Sequence, residues 1–419
     1  MTQVRPFCGF KYNPERINDL SSVVAPPYDV VTDHERETLA GRSPHNFIRM
    51  TLPAHSDPDS KSRTFYGEAT QLWSDWRQNR IFCQDSEPGI HLLKESYDSS
   101  SGNTLTRFGF LTALSLEQES HRYVLKHEKT HTAPLKDRVR LYQHTRANLS
   151  PLFFIYRDDP IETEEFLLHF NGKETQKGVL SHRGNVSLEV ASTFESEFMN
   201  EFCASFDSKH VLIADGHHRY EASRLLHNEN KDSSMDSSAV LAYLVPASSE
   251  GLIVHATHRG LSDLYHFDED EFIDALSSRF QLKESSPNSH QQFEIATETR
   301  GRFTVAPNTS SAKSLANRLE TEAMAQLPVV ILEEVILKEV LGMDDEAISA
   351  KTNLHYFQNK QDGIDLVARG EWNAAFFLPP ISLEDLFSVT QSGGILPQKS
   401  TYFYPKVATG LVVRSMEQD

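Results

Sequence analysis

The sequence predicts a mixed α/β (α+β) fold for this chain of 419 residues. Short apolar runs such as Pro151–Tyr156 and Val240–Val245 are typical of buried strands, whereas apolar residues repeated every three or four positions are typical of helices. The stretch from Val211 to His227 contains both signals, since an apolar strand, an Asp-Gly turn and a helix-like segment follow one another. Strands that alternate with helices in this way favour an α/β arrangement.

Composition excludes several classes of protein. The chain has 41 basic and 59 acidic residues, a net charge of -18, and no basic run of the kind that nucleic-acid binding requires. Three cysteines lie far apart in the sequence, which indicates a reducing compartment. Because the sequence contains no apolar run near the roughly 20 residues of a membrane span, we expect a cytoplasmic protein without a membrane or nucleic-acid partner. The oligomeric state stays open, a homodimer included.

We expect three parts, and the first covers residues 1–120. It begins with a loop-rich segment that contains Val23–Val31, where two adjacent prolines fix an extended backbone. A helix is predicted over 61–78 from its apolar face, which includes Trp73 and Trp76. Two strands, at 89–97 and 106–114, follow as a hairpin with a longer loop.

The second part, residues 121–260, carries most of the polar motifs. A strand at 123–125 leads to His127-Glu-Lys-Thr-His131, and a helix follows to about residue 147. Ser192-Thr-Phe-Glu195 matches a capping box that would begin a helix. In that helix Phe194, Phe198 and Phe202 recur every four residues, which predicts core positions rather than a cofactor site.

The third part, residues 261–419, is predicted to begin with a helix over 268–280 and a hairpin of 293–297 with 301–306. A longer helix is predicted from Pro328 to Leu341, because proline is at its start and Gly342 at its end. Its inward residues are predicted to be Leu332, Val335, Ile336 and Val340.

The five residues Asp215, Gly216, His217, His218 and Arg219 predict an anion site. Glycine allows the backbone to turn and to come close to a ligand. The N–H groups at a helix N-terminus attract anions, and the two histidines and the arginine add donors there. The alternative is an ordinary loop with packed histidines, but the density of polar residues favours a phosphate pocket.

His127-Glu128-Lys129-Thr130-His131 has two interpretations. The pattern matches the HExxH sequence of zinc proteases, which needs both histidines on one helix. Here a strand precedes the motif and Pro134 follows it closely, a context that fits the start of a helix after the motif. The second interpretation uses Glu128 alone, as a general base toward a hydroxyl group. Its alternative is a surface or capping carboxylate.

Seven motifs resemble a widespread bacterial family of unknown function, domain-of-unknown-function family 1015. They cover nearly the whole chain: Val24-Ala-Pro-Pro-Tyr-Asp-Val-Val31, His127-Glu-Lys-Thr130, Lys136-Asp-Arg138, Asn148-Leu-Ser-Pro-Leu-Phe153, Asp215-Gly-His-His-Arg-Tyr-Glu221, Thr257-His-Arg259 and Leu396-Pro-Gln-Lys-Ser-Thr-Tyr-Phe-Tyr-Pro-Lys406. From the residues alone, Lys136, Asp137 and Arg138 are expected in a solvated or salt-bridged helical turn.

The central portion is also similar to the free-serine kinases of the ParB/sulfiredoxin superfold, with N- and C-terminal α/β additions. That resemblance implies that Glu128 is the catalytic base and that Asp215 to Arg219 bind the nucleotide phosphates. It further implies Mg²⁺ between the phosphates, with Asp215 either ordering the turn or holding the metal. Residues expected near the acceptor are His127, Thr130, Thr257, His258, Arg259 and Lys399.

The function expected from this resemblance is transfer of phosphate from ADP or ATP to the hydroxyl of a free amino acid. L-serine would be the acceptor and O-phosphoserine the product. The alternative is a nucleotide-binding regulatory protein of the same superfold that phosphorylates no metabolite. The long insertion between Glu128 and Asp215, and the terminal parts, have no counterpart in the small kinases, so the acceptor can differ from serine.

Overall fold

The computed structural model describes residues 3–53, 63–99, 102–117, 120–129, 132–230, 232, 234–285, 293–319 and 321–417. The chain forms two compact units, each built from separate stretches. Unit 1 contains Met1–Leu125, Thr130–Ile253 and Pro405–Asp419, and unit 2 contains Lys126–Lys129 and Val254–Tyr404. The three predicted parts, 1–120, 121–260 and 261–419, divide the chain differently, and that division stays a prediction.

The main sheet of unit 1 has nine strands. Eight of them follow the spatial order Val124–Leu125, Val211–Asp215, Leu152–Tyr156, Ala239–Pro246, Thr104–Ser115, Ile90–Asp98, Asn185–Thr193 and Thr175–Ser181, and Val4–Arg5 pairs with Thr104–Ser115. The central strands Leu152–Tyr156 and Ala239–Pro246 are buried along their whole length. They are therefore apolar throughout rather than alternating.

A second sheet of unit 1 joins both ends of the chain. Its four strands lie in the order Phe82–Gln84, Gly9–Tyr12, Val413–Ser415 and Ala147–Asn148. The α-helices of unit 1 are Asp33–Arg42, Ile48–Thr51, Arg63–Gln78, Thr132–Thr145, Pro160–Leu168, Ser196–Ser205 and His217–Glu229. Short 3-10 helices span Leu20–Ser22, Tyr28–Val30 and Ser120–Tyr123.

The core of unit 1 confirms the phenylalanine prediction in part. Phe198 and Phe202 are fully buried in an apolar cluster with Phe110, Phe154 and other residues of the main sheet. Phe194 lies outside the helix and is only half-buried.

The predicted capping box at Ser192–Glu195 is wrong. Ser192 lies in the strand Asn185–Thr193, directly opposite His91, and its hydroxyl is 2.8 Å from His91 Nδ1. The helix begins at Ser196, and the side chain of Glu195 makes no capping hydrogen bond. Sheet pairing overrides the local signal, because Ser192 already has its partner across the strands.

Unit 2 is built around a six-stranded antiparallel sheet. Its strands lie in the order Phe280–Glu284, Gly301–Pro307, Glu294–Thr297, Ala374–Phe377, His258–Leu261 and Leu354–Phe357. Ile253–His255 pairs with Tyr402–Tyr404 in a separate two-stranded sheet. The helices are Glu269–Ser277, Thr309–Ala316, Pro328–Ile331, Asp345–Ala350, Lys360–Ala368 and Leu383–Gln391, with a 3-10 helix at Glu322–Gln326. The predicted hairpin of 293–297 with 301–306 is confirmed. The helix predicted over 268–280 is present as Glu269–Ser277, and Phe280 begins a strand.

The helix predicted from Pro328 to Leu341 is present but changes type. Pro328–Ile331 is an α-helix, and Leu332–Val340 continues it as a π-helix, which ends before Gly342 at φ 67°. Hydrogen bonds in a π-helix join residues five apart, so buried positions shift from the α-helical spacing. As a result Leu337 is buried and the predicted core residue Val340 is only half-buried.

The mixed α/β class predicted from the sequence is confirmed by both units. Among the described residues, no helix combines the length and apolar character needed to cross a membrane.

Candidate functional site

The turn after Val211–Asp215 has a backbone that requires glycine. Gly216 has φ 97° and ψ 29°, in the left-handed region, and the helix His217–Glu229 begins at the next residue. A β-carbon on Gly216 would lie 2.7 Å from Leu152 Cδ2. Both conformation and space therefore favour glycine here. The predicted strand, turn and helix start are confirmed.

Asp215 is held between two cations of unit 1. Arg219 Nη2 donates to Asp215 Oδ2 at 2.7 Å, and Lys406 Nζ contacts Asp215 Oδ1. Burial by itself would raise the pKa of Asp215, but the charges of Lys406 and Arg219 hold that pKa well below its usual range. The other guanidinium nitrogen, Arg219 Nη1, donates to the carbonyl of Pro151 at 2.8 Å. Arg219 therefore fastens the turn to a neighbouring strand.

The expectation that Asp215 could hold a metal ion stays a prediction, and the surroundings of this carboxylate bear on it. Each of its carboxylate oxygens accepts a hydrogen bond from a cationic side chain. The two neighbouring positive charges disfavour a divalent cation at this carboxylate. The two hydrogen bonds of Asp215 support the other expected role, which is to order the turn.

The two histidines lie in the first turn of the helix His217–Glu229. His217 is buried and His218 is half-buried. The first N–H groups of an α-helix find no partner within the helix, and Gly216 has no side chain that could cap them. The partial positive charge at this helix end is suited to phosphate oxygens.

Sequence reasoning missed the role of Arg138 in unit 1. Its guanidinium lies 3.9 Å from the centre of the Tyr28 ring and also pairs with Asp137. Of the two expected states, solvated or salt-bridged, the structure shows the salt bridge, and Arg138 is buried. The available signal was the presence of both Pro-Pro-Tyr28-Asp29 and Lys-Asp137-Arg138 among the family motifs.

Glu128 lies in an extended segment of unit 2. It forms a parallel bridge with Leu396, whose N–H donates to the carbonyl of His127 at 2.9 Å. Glu128 Oε1 accepts a hydrogen bond from the backbone N–H of Lys399 at 3.1 Å, and His127 Nε2 lies 2.9 Å from Thr401 Oγ1. This backbone is not helical, so His127 and Glu128 lack the helical placement of the zinc-protease motif.

Arg259 is buried in unit 2 and contacts the same segment, Gln398–Lys399, that Glu128 contacts. It donates to the carbonyls of Thr257, Gln398 and Lys399, the last two at 2.9 and 3.0 Å. Its guanidinium also lies 4.7 Å from the centre of the Tyr356 ring. Burial lowers the pKa of Arg259 to about 10, but the side chain remains cationic at neutral pH. Arg259 thus ties the segment that contacts Glu128 to the six-stranded sheet.

His258 does not share the surroundings of Arg259. Successive strand residues point to opposite sides of a sheet. His258 packs edge-on against Phe357 and Phe377, and its Nδ1 accepts from the N–H of Leu378 at 3.2 Å. Burial lowers its pKa to about 4. The structure therefore separates His258 from the residues around Glu128.

The sequence-predicted residues form two groups, one in each unit. In unit 1 the structure brings together Asp215 to Arg219 and adds Lys406. In unit 2 it brings together His127, Glu128, Arg259 and Lys399, with the carbonyl of Thr257. Thr130 lies outside the described residues. That the two groups meet around one substrate stays a prediction.

A cavity of about 770 Å³ in unit 1 is lined by other residues. Its wall includes Lys11, Asp85, Ser192 and Phe194, and none of the predicted site residues. Lys11 pairs there with Asp85 at 2.6 Å and donates to Ser192 Oγ at 2.9 Å. Volume alone therefore does not identify the predicted phosphate site.

Residues 4–330 match the family described as "Protein of unknown function (DUF1015)". No curated protein matches the chain. Among solved structures, it is similar to a free serine kinase in complex with AMP, at 12% identity and a TM-score of 0.37 over 74% of this chain and 91% of the other. It is also similar to a conserved hypothetical protein from Pyrococcus furiosus, at 14% identity and a TM-score of 0.35 over 71% of this chain and 92% of the other. A third similar structure is SbnI with C-terminal truncation from Staphylococcus aureus, at 9% identity and a TM-score of 0.40 over 74% of this chain and 90% of the other. Likenesses this distant assign no activity to the chain.

Proposed function

Because the chain belongs to the DUF1015 family, whose function is unknown, we propose an activity from its own residues. The proposed activity is transfer of a phosphate group from ADP or ATP to the hydroxyl of a free amino acid. L-serine is the proposed acceptor, and the product is O-phosphoserine. The family itself was predicted correctly from the sequence motifs.

The observation that carries this proposal is the turn at Gly216. A left-handed glycine leads directly into a 13-residue helix, beside a carboxylate that two cations neutralise. Backbone N–H groups and the partial positive charge of a helix N-terminus are suited to phosphate oxygens. His217, His218 and the charge of Lys406 would add to the binding of a nucleotide phosphate.

The proposed chemical step uses Glu128 as the base. Its carboxylate takes the proton of the acceptor hydroxyl while that oxygen bonds to the terminal phosphorus of the nucleotide. The bond from this phosphorus to its bridging oxygen breaks, and AMP or ADP leaves with the bonding electrons. The hydrogen bond from the N–H of Lys399 holds the Glu128 carboxylate in position. Phosphoryl transfer depends mainly on such positioning and on neutralised charge.

The carboxylate of the phosphate turn does not fit as a ligand of Mg²⁺. This ion is commonly held by one or two carboxylates together with substrate phosphates, and both oxygens of Asp215 are already bound by cationic side chains. No step is therefore assigned to the ion.

The test is an assay of phosphoserine formation from L-serine with ADP or with ATP. We expect Glu128→Gln to lower kcat by about 10² to 10⁴, the usual contribution of a positioned general base. Calorimetry should give the same affinity for ADP as in the wild type, since the phosphate turn is unchanged. Glu346→Gln, at an exposed glutamate of unit 2, is the matched control and should keep full activity.

Two results would contradict the proposal. Phosphoserine formation at the wild-type rate by Glu128→Gln would remove the glutamate from the mechanism. Tight nucleotide binding without turnover on serine or other hydroxy amino acids would favour the regulatory alternative.

A further inference from the structure

Two lysines of unit 2 flank the group around Glu128. Lys351 and Lys399 both have left-handed backbones, with φ 57° and φ 56°. At Lys351 this conformation is the left-handed cap that ends the helix Asp345–Ala350. At Lys399 it lies in the loop whose N–H contacts Glu128. The two residues come from different loops, one after the helix Asp345–Ala350 and the other after Leu396.

Hydrogen bonds and ring contacts connect these lysines into one cluster. The N–H of Lys399 donates to Glu128, and its carbonyl accepts from Arg259. Arg259 lies 4.7 Å from the centre of the Tyr356 ring, and Lys351 Nζ lies 5.6 Å from the same centre. Two cationic side chains therefore lie near the Tyr356 ring. One of them, Arg259, donates a hydrogen bond to the carbonyl of Lys399, whose N–H contacts Glu128.

The charges of these two lysines are not balanced by ion pairs. Within the part of the chain that the structure describes, neither Lys351 nor Lys399 forms an ion pair, whereas Lys338 of the same unit pairs with Glu334 at 2.6 Å and Asp345 at 2.8 Å. Burial and, next, the charge of Lys399 lower the pKa of Lys351, and the carboxylate of Glu128 raises it by a smaller amount. Both lysines are exposed, so an external anion can reach these neighbouring cations and would be attracted to them.

We propose that Lys351 and Lys399 bind the carboxylate of the acceptor, so that the acceptor class is the hydroxy acids. This inference rests on the proposed function, in which Glu128 receives the proton of the acceptor hydroxyl. Arg259 donates its hydrogen bonds to backbone carbonyls, so it is a positioning residue that fixes Lys399. The shared chemistry is that of an oxyanion, which a nucleotide phosphate could also supply.

The first experiment is calorimetry on the full chain without nucleotide, at constant ionic strength. The probes are L-serine, glycerate, ethanolamine and glycerol. Serine and glycerate carry the carboxylate, while ethanolamine and glycerol carry only the hydroxyl. We expect binding of the two acids and none of the other two. Equal binding of ethanolamine and serine, or no binding of either acid, would overturn the inference.

Variants identify the residues. Lys351→Met and Lys399→Met should each weaken binding of serine and glycerate about tenfold or more, as expected for a lost charged hydrogen bond. In the kinase assay KM for serine should rise with little change in kcat, because an interaction made equally in the ground and transition states is lost. Lys313→Met, at an exposed lysine of unit 2 without an ion pair among the described residues, is the control and should bind the acids normally.

A second titration with ADP separates the two sources of oxyanion. Weaker ADP binding with unchanged acid binding in both variants would assign the lysines to the nucleotide and overturn the acceptor site. The result also separates this inference from the proposed function. Acid binding that is lost in both variants, without any phosphoserine formation by the wild type, would support the site and contradict the kinase. Phosphoserine formation with an unchanged KM for serine in both variants would support the kinase and contradict the acceptor site.

Discussion

At the scale of single residues, Gly216 and Asp215 define the candidate phosphate turn. Gly216 adopts a left-handed conformation with Leu152 packed where a β-carbon would be. Asp215 accepts from Arg219 and Lys406, and these bonds fasten the turn to the strand before it and to the C-terminal segment. The shape of the turn therefore depends on the lack of a β-carbon at Gly216 and on the two hydrogen bonds that the Asp215 carboxylate accepts.

Gly216→Ala tests the first of these dependences. Alanine in the left-handed region costs about 1–2 kcal/mol, and the contact with Leu152 adds about 1–3 kcal/mol of overpacking. We expect denaturant unfolding to show this loss and calorimetry to show weaker ADP binding. Gly172→Ala is the matched control, since Gly172 has φ 71° in unit 1 and a β-carbon added there would meet no atom of the described residues within 4 Å. Equal losses of stability in the two variants, with normal ADP binding, would contradict the role given to Gly216.

Sequence reasoning predicted the contiguous part of this site and missed the distant part. Asp215 to Arg219 are adjacent, so their strand, turn and helix signals could be interpreted together. Lys406 is 191 positions from Asp215, and no local pattern indicates that its ammonium reaches this carboxylate. The same limit applies to Lys351, whose ammonium lies near the Tyr356 ring on which Arg259 also packs.

At the scale of elements, local sequence signals predicted helices and strands correctly where strand pairing in a sheet did not compete with them. The strand Val211–Asp215 and the helix His217–Glu229 follow the predicted pattern. Ser192 carried a capping signal, but it lies in a strand opposite His91. The Leu332–Val340 helix kept its predicted position while its hydrogen bonding became that of a π-helix, which shifts its buried residues.

Ser192→Ala tests the strand role at this scale. The hydroxyl of Ser192 accepts from Lys11 Nζ at 2.9 Å and is 2.8 Å from Nδ1 of the fully buried His91. Leaving a buried polar group without its partner costs about 1–3 kcal/mol. We expect this loss in urea unfolding, with no loss of helix in the circular dichroism spectrum of the folded state. Ser196→Ala, at the exposed first residue of the helix, should stay within about 0.5 kcal/mol of wild type. Loss of helix signal in the spectrum of Ser192→Ala would restore the capping interpretation.

At the scale of the whole molecule, the two units are assembled from stretches that are separate in sequence. Lys126–Lys129 belongs to unit 2, and Pro405–Asp419 returns to unit 1. In unit 1, Val413–Ser415 pairs with strands at Gly9–Tyr12 and Ala147–Asn148. Composition and periodicity predicted a mixed α/β fold, but they carry no information on which distant strands pair. The division into units could therefore not be predicted from the sequence.

Global stability is predicted to fall on acidification because of His258. Burial lowers its pKa to about 4, from an ordinary value of 6.5, and its Nδ1 must stay unprotonated to accept from the N–H of Leu378. On acidification the unfolded chain therefore binds a proton before the folded chain does. The stabilisation is complete above about pH 6.5, declines as the pH falls toward 4, and is absent below that pH. At one pKa unit per 1.36 kcal/mol, it amounts to roughly 3 kcal/mol.

The measurement is the free energy of unfolding in urea between pH 7.5 and pH 4, for the wild type and for His258→Gln. Glutamine keeps an acceptor for Leu378 and does not titrate, so we expect a shallower decline with pH in the variant. A histidine NMR titration should place the pKa of His258 near 4 in the folded wild type. His34→Gln is the control, because His34 is exposed and its replacement should leave the slope unchanged. An identical slope in His258→Gln and wild type would show that burial of His258 does not couple folding to pH.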